Sequence, residues 1–112
     1  MKIRLLHTKQ CHAWHEAENQ LKEALKETGL TNDYEVVLLV REDDAKKYHF
    51  SGSPQITVDG NDVDPMAKNI TNFSISSCRP YFYKGKFYDF PPKGMILEKL
   101  NGIIQVSKSK MG

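Results

Sequence analysis

Cys11 and Cys78 are the two cysteines of this 112-residue chain, and their thiolates are the strongest nucleophiles and softest metal ligands it can offer. They stand too far apart in sequence to form one local redox motif. In a reducing compartment a structural disulfide is disfavoured, so each is a free thiol or a chemically active one. Cys11 lies in His7-Thr8-Lys9-Gln10-Cys11-His12-Ala13-Trp14-His15, where the pattern predicts that a helix begins. Unpaired N–H groups and the positive end of the helix dipole favour a thiolate there. Lys9, His12 and His15 add positive charge, and His15 stands one helical turn on from Cys11. The bland alternative is a half-buried cysteine without reactivity.

A single reactive thiol needs a partner to resolve the mixed disulfide it forms. Cys78 is the candidate within the chain. It reaches Cys11 if the segment Asp64 to Ser77 folds back over Ser53-Pro54, which requires a Cα separation of about 4.4–6.8 Å. Its bland alternative is a small buried hydrophobe near a strand start. His7, Cys11, His12 and His15 also combine imidazole with sulfur, a donor set suited to zinc, copper(I) or mercury. Their spacing matches no closed four-ligand pattern and His7 falls in a strand. No metal ligand and no cofactor is therefore assigned.

The elements that must position these groups follow from periodicity. Ile3 to His7 reads as a short strand. Trp14, Ala17, Leu21, Ala24, Leu25 and Thr28 recur at three- and four-residue steps, one face of a helix that Gly29 ends. Tyr34 to Val40 is the most apolar run, β-branched and seven residues long, and reads as a buried central strand. Glu42, Asp43 and Asp44 before Lys46 and Lys47 suit the dipole of a short second helix. Gln55 to Val58 is a strand, Asp59-Gly60 a hairpin turn, and Asn61 to Val63 a short return strand. Asp64 to Ser77 is polar and irregular. Tyr81 to Tyr88 reads as strand and turn, and its aromatic residues as packing. Pro91-Pro92 opens a last helix with Ile96, Leu97, Leu100, Ile103 and Ile104 on one face. Strand–helix–strand at these lengths implies a parallel pair with a right-handed crossover.

That order, with a cysteine just after the first strand, resembles the thioredoxin/glutaredoxin superfamily. A second likeness is Ala45 to Ile56, which looks like the family's second helix running through Gly52-Ser53-Pro54 into the third strand. More narrowly, the chain is similar to small thioredoxin-like proteins with a cysteine, a Gly-Ser-Pro loop and a later Ser-Cys-Arg segment, here Ser77-Cys78-Arg79. The resemblance implies an α/β thioredoxin-like fold: a central mixed sheet of about four strands with helices on both faces. It implies a cis Ser53-Pro54 peptide beside the active cysteine, whose free backbone groups pair with an extended substrate. It makes Cys11 and Cys78 the candidate catalytic residues and Ser53, Pro54, Trp14 and His15 the candidate substrate-binding ones. The family's redox motif places two cysteines three positions apart, and here Trp14 occupies the second position. Dithiol exchange within that motif is thus excluded, and a monothiol role for Cys11 survives.

Composition bounds the rest. One domain is expected over 1–106, with a short basic tail at 107–112. Net charge is +2, from 16 basic and 14 acidic residues, too even to argue for nucleic acid or an anionic membrane. No secretory signal and no apolar run of membrane-spanning length is read, so the expectation is a cytoplasmic protein. The implied function is a thiol oxidoreductase acting through Cys11, with a protein or small-molecule thiol or disulfide, glutathione among them, as partner. Two alternatives stand beside it: a thiol-based binder of soft metal or organomercurial, and a binding domain that keeps the fold without the chemistry. Composition does not set the oligomeric state.

Overall fold

A computed structural model describes residues 1–30, 33–76 and 78–111, the side chains of 105–111 excepted. Strand β1 (Ile3–His7) leads into helix α1 (Trp14–Thr28), which returns to β2 (Glu35–Leu38). Helix α2 (Glu42–Lys47) follows, then β3 (Gln55–Val58) and β4 (Asn61–Asp62). A 3-10 turn at Pro65–Asn69 precedes a separate hairpin, β5 (Tyr81–Tyr83) and β6 (Lys86–Tyr88), and helix α3 (Lys93–Met111) closes the chain. The backbone of the expected basic tail thus continues the helix as far as Met111, and Gly112 lies outside the described residues.

The sheet runs β2-β1-β3-β4. β1 and β2 are parallel, with Leu5 opposite Val36, whereas β1–β3 and β3–β4 are antiparallel. The chain is therefore α/β with a mixed four-stranded sheet and flanking helices. Period-two alternation divides β1 between two cores. Ile3 and Leu5, with Ile56 and Val58 of β3, pack against Ala17, Leu21, Ala24 and Leu25 of α1 and Met95, Ile96 and Leu100 of α3. Leu6 faces the other way, onto Leu39, Ala45 and Phe50. Gly29 ends α1 as expected, at φ 65° with its N–H on the Leu25 carbonyl at 2.9 Å.

One expectation is overturned. The run from Tyr34 to Val40 is not a central strand but the edge of the sheet, with Val36, Leu38 and Val40 at 42, 43 and 55% exposure. A β-branched run specifies extended backbone but not a place in the strand order. The central position goes to β1, where Ile3, Leu5 and Leu6 are all buried, because α1 and α3 lie over β1 and β3.

Candidate thiol site

Three segments meet at Ser53. The first is the turn after β1: the Thr8 N–H donates to Ser53 Oγ at 3.2 Å, and the Cys11 N–H returns to the Thr8 carbonyl at 3.4 Å. The second is Gly52-Ser53-Pro54, in which the Ser53-Pro54 peptide is cis. The third is Cys78-Arg79: Cys78 forms an isolated parallel bridge with Ser53, and the Arg79 N–H donates to the Ser53 carbonyl at 3.3 Å. The Asp64 to Ser77 segment therefore brings Cys78 back to Ser53, with Ser77 itself outside the described residues.

The two thiols are free and differ in access. Cys11 is buried at 8% exposure, whereas Cys78 is exposed. The burial of Cys11 departs from expectation, since an attacking thiol requires access, and the exposure of Cys78 goes against its bland alternative of a buried hydrophobe. Cys11 also stands three residues before the first residue of α1, whose N-cap is Ala13. Cys11 therefore precedes the first turn of α1, where the effect of the helix dipole is concentrated. The turn is closed by Thr8 rather than by the helix, which is why the pattern placed the helix start too early. Cys78 opens into a cleft of about 570 Å³ that also takes in Met66, Ile70, Pro80 and Phe82.

Of the expected substrate-binding residues, Ser53 and Pro54 are buried. The Pro54 carbonyl accepts the Tyr81 hydroxyl at 2.5 Å. Trp14 is half-buried between two imidazoles, with His7 stacked at 4.2 Å and His15 at 3.9 Å between ring centroids. His7 is buried, and its Nδ1–H donates to the Thr8 carbonyl at 3.2 Å. His12 and His15 are exposed. His7 and His15 thus serve a ring contact with Trp14, in which His12 takes no part. Among the described residues no three or more His, Cys, Asp or Glu side chains converge as a metal site.

A buried charge network that sequence reasoning missed holds the third segment in place. One Arg79 nitrogen meets Ser51 Oγ at 2.5 Å and the Asp62 carboxylate, and the other meets Asp64 at 2.9 Å. The guanidinium lies over the Tyr81 ring at 4.4 Å, and Asp62 also accepts from Gln55 Nε2 at 2.9 Å. Burial opposes the Arg79 charge. Tyr81 when ionised, and the carboxylates of Asp62 and Asp64, outweigh that and raise its pKa. Burial, and then Asp62, push the Tyr81 phenol well above its ordinary range against the pull of Arg79, with a smaller push from Cys11. Gly52 completes the contact: at φ 139° a Cβ would stand 2.6 Å from that of Arg79, so only glycine fits. The signals in sequence were Asp62-x-Asp64 and the arginine after Cys78, but nothing local joins residues so far apart.

No helix of the described residues is long and apolar enough to cross a membrane. A family model described as a domain of unknown function (DUF2703) matches residues 3–99, so the chain belongs to that family. No curated protein and no solved structure matches it.

Proposed function

We propose that this DUF2703 member is a thioredoxin-like thiol oxidoreductase in which Cys11 and Cys78 work as a pair on either side of Ser53-Pro54. The observation that carries the reading is the double tether at Ser53. Its hydroxyl accepts from the Thr8 turn that holds Cys11, and its backbone bridges Cys78. The fold half of the reading is supported by a parallel β1–α1–β2 unit continued by antiparallel β3 and β4, with Ser53-Pro54 leading into β3.

Access decides the order of events. The exposed Cys78 thiolate attacks one sulfur of an external disulfide. That S–S bond breaks, the first substrate thiolate leaves and takes a proton from water, and a mixed disulfide remains on Cys78. Cys11, after losing its proton, attacks the Cys78 sulfur. The second substrate thiolate leaves, and a Cys11–Cys78 disulfide forms. The substrate disulfide gains the two electrons that the protein dithiol loses, and an external thiol such as glutathione restores the pair. Trp14 stands where a cysteine local to Cys11 would, so within the chain the partner of Cys11 is non-local.

The test is intact mass and peptide mapping after exposure to glutathione disulfide. The parent chain is expected to lose two hydrogens through a Cys11–Cys78 link. Cys11→Ser is expected to keep a lasting glutathione adduct on Cys78, and Cys78→Ser to react slowly at Cys11. Equally fast modification of Cys11 in Cys78→Ser reverses the order. Inert cysteines in the parent chain defeat the reading and favour a non-catalytic binding domain. Stoichiometric retention of mercury or zinc that needs both cysteines, without exchange, favours a soft-metal binder.

A further inference from the structure

The free edge of β2 carries its own complement. Among the described residues, no strand pairs with the side of β2 away from β1. The Leu39 N–H donates to the His7 carbonyl at 2.8 Å, so the odd-numbered residues of this stretch turn their backbone groups toward β1. Val36, Leu38 and Val40 turn theirs to the open side. The same three residues are the exposed apolar ones, at 42, 43 and 55% exposure. A strand edge with open ladder groups and exposed apolar side chains is a template for another strand, which natural proteins usually blunt with charge, proline or a covering element. Val36 to Val40 contains no charge and no proline.

We propose that β2 is the seam of a symmetric homodimer, with the open edge of one chain pairing antiparallel to the same edge of a second copy and centred on Leu38. Hydrogen-bonded antiparallel pairs need outward-facing residues on both strands, so even residues must oppose even residues. Centred on Leu38, the register sets Leu38 against itself and Val36 against Val40 in both directions. The next residues outward are Glu35 and Arg41, which then oppose each other across the two-fold axis, twice. Shifting by two residues either way sets Glu35 opposite the apolar Leu39, or Arg41 opposite Val37. Opposite charges directly across two strands stabilise the pair and like charges oppose it. Both residues are available. Glu35 meets Lys2 at 3.4 Å and Arg41 meets Asp43 at 3.8 Å, each pair exposed on both sides. Arg41 has extended backbone, at φ −112° and ψ 148°, and α2 begins at Glu42, which ends the pairing stretch. The contact is isologous and closes as a dimer rather than growing into a fibre. It joins two four-stranded sheets into one continuous sheet and lies apart from the Ser53 junction, so it does not depend on the oxidoreductase reading.

Sedimentation equilibrium on the reduced full chain, from low-micromolar to sub-millimolar concentration, tests this. The parent is expected to approach twice the chain mass. Leu38→Lys, which sets two ammonium groups against each other at the axis, is expected to stay monomeric with an unchanged far-UV circular dichroism spectrum. Glu35→Arg and Arg41→Glu are each expected to weaken dimerisation on the order of tenfold, and the double reversal Glu35→Arg/Arg41→Glu to restore it. A parent that is monomeric throughout overturns the proposal, as does a Leu38→Lys dimer of parental affinity. Failure of the double reversal to recover overturns the register.

Discussion

The two edges of the sheet are finished in opposite ways. At the β4 edge, Asp62 is drawn under a buried guanidinium, with Asp64, Gln55 and Ser51 sharing the contact. At the β2 edge no charge stands between Val36 and Val40, and Val36, Leu38 and Val40 are exposed. The first arrangement is demanding: a buried charge is tolerable only with its partners in place. The second makes no demand on the monomer. The demanding edge borders Cys78 and Ser53, the site of the proposed thiol chemistry, and holds a long irregular segment against the sheet. Phe73 and Ile75 anchor the middle of that segment on the second core and Arg79 anchors its return, whereas the β2 edge is already fixed by its ladder to β1.

The largest effect is expected from breaking the first edge. Arg79→Met leaves Asp62 and Asp64 without their cation, and removing one partner of a buried pair costs roughly 3–5 kcal/mol. Urea unfolding of the reduced protein reads it. The same variant should also form the Cys11–Cys78 link more slowly, because the backbone register of Cys78 on Ser53 loses its anchor. A change below about 1 kcal/mol would mean that the guanidinium is solvated rather than enclosed.

Tyr81→Phe is expected to cost less, about 1–3 kcal/mol, by leaving the Pro54 carbonyl without its donor. It also has a pH signature. The folded-state pKa of Tyr81 is raised above its unfolded value by burial first and by Asp62 next. The folded protein then holds the phenolic proton where the unfolded chain releases it. Stability from this group is complete below the unfolded pKa of about 10 and falls as pH rises beyond it. The parent should lose stability between pH 9 and pH 11 more steeply than Tyr81→Phe, as compared by urea midpoints. Equal slopes would mean that Tyr81 is not the group protected.

These contrasts also explain what could be read in advance. The α1 face was legible because Ala17, Leu21, Ala24 and Leu25 repeat at the helical period, and Gly29 marks the end by the one backbone conformation that glycine favours. Strands β1 and β3 were legible from alternation and the β3–β4 turn from Asp59-Gly60, whereas Tyr81 to Tyr88 was legible only as strand and turn, without its pairing. The place of Val36 to Val40 was not, because burial from one side and burial from both sides select the same β-branched residues. The depth of Cys11 was not legible either, since it depends on how the Thr8 turn seats against Ser53, a contact across forty-five positions. The Arg79 network has the same cause. Its partners are ordinary taken singly, Ser51 and Asp64 in loops and Asp62 in the short β4, and become a site only when the chain doubles back.

The smallest effect is expected at the bare edge, and its smallness is informative. Val40→Thr keeps the β-branched shape that extended backbone favours and replaces one methyl by hydroxyl on a residue that is 55% exposed. At low concentration, where the chain is monomeric, its unfolding free energy should lie within about 0.5 kcal/mol of the parent. Any dimer that forms through β2 stabilises the folded state by mass action, so the parent's unfolding midpoint should climb with protein concentration. Val40→Thr should climb less, because each copy sets residue 40 against Val36 of the other. A variant that is destabilised equally at every concentration would place Val40 in the monomer's own packing. A variant that loses only the concentration dependence separates the two edges as argued: one holds the chain to itself, and the other is left to hold a second chain.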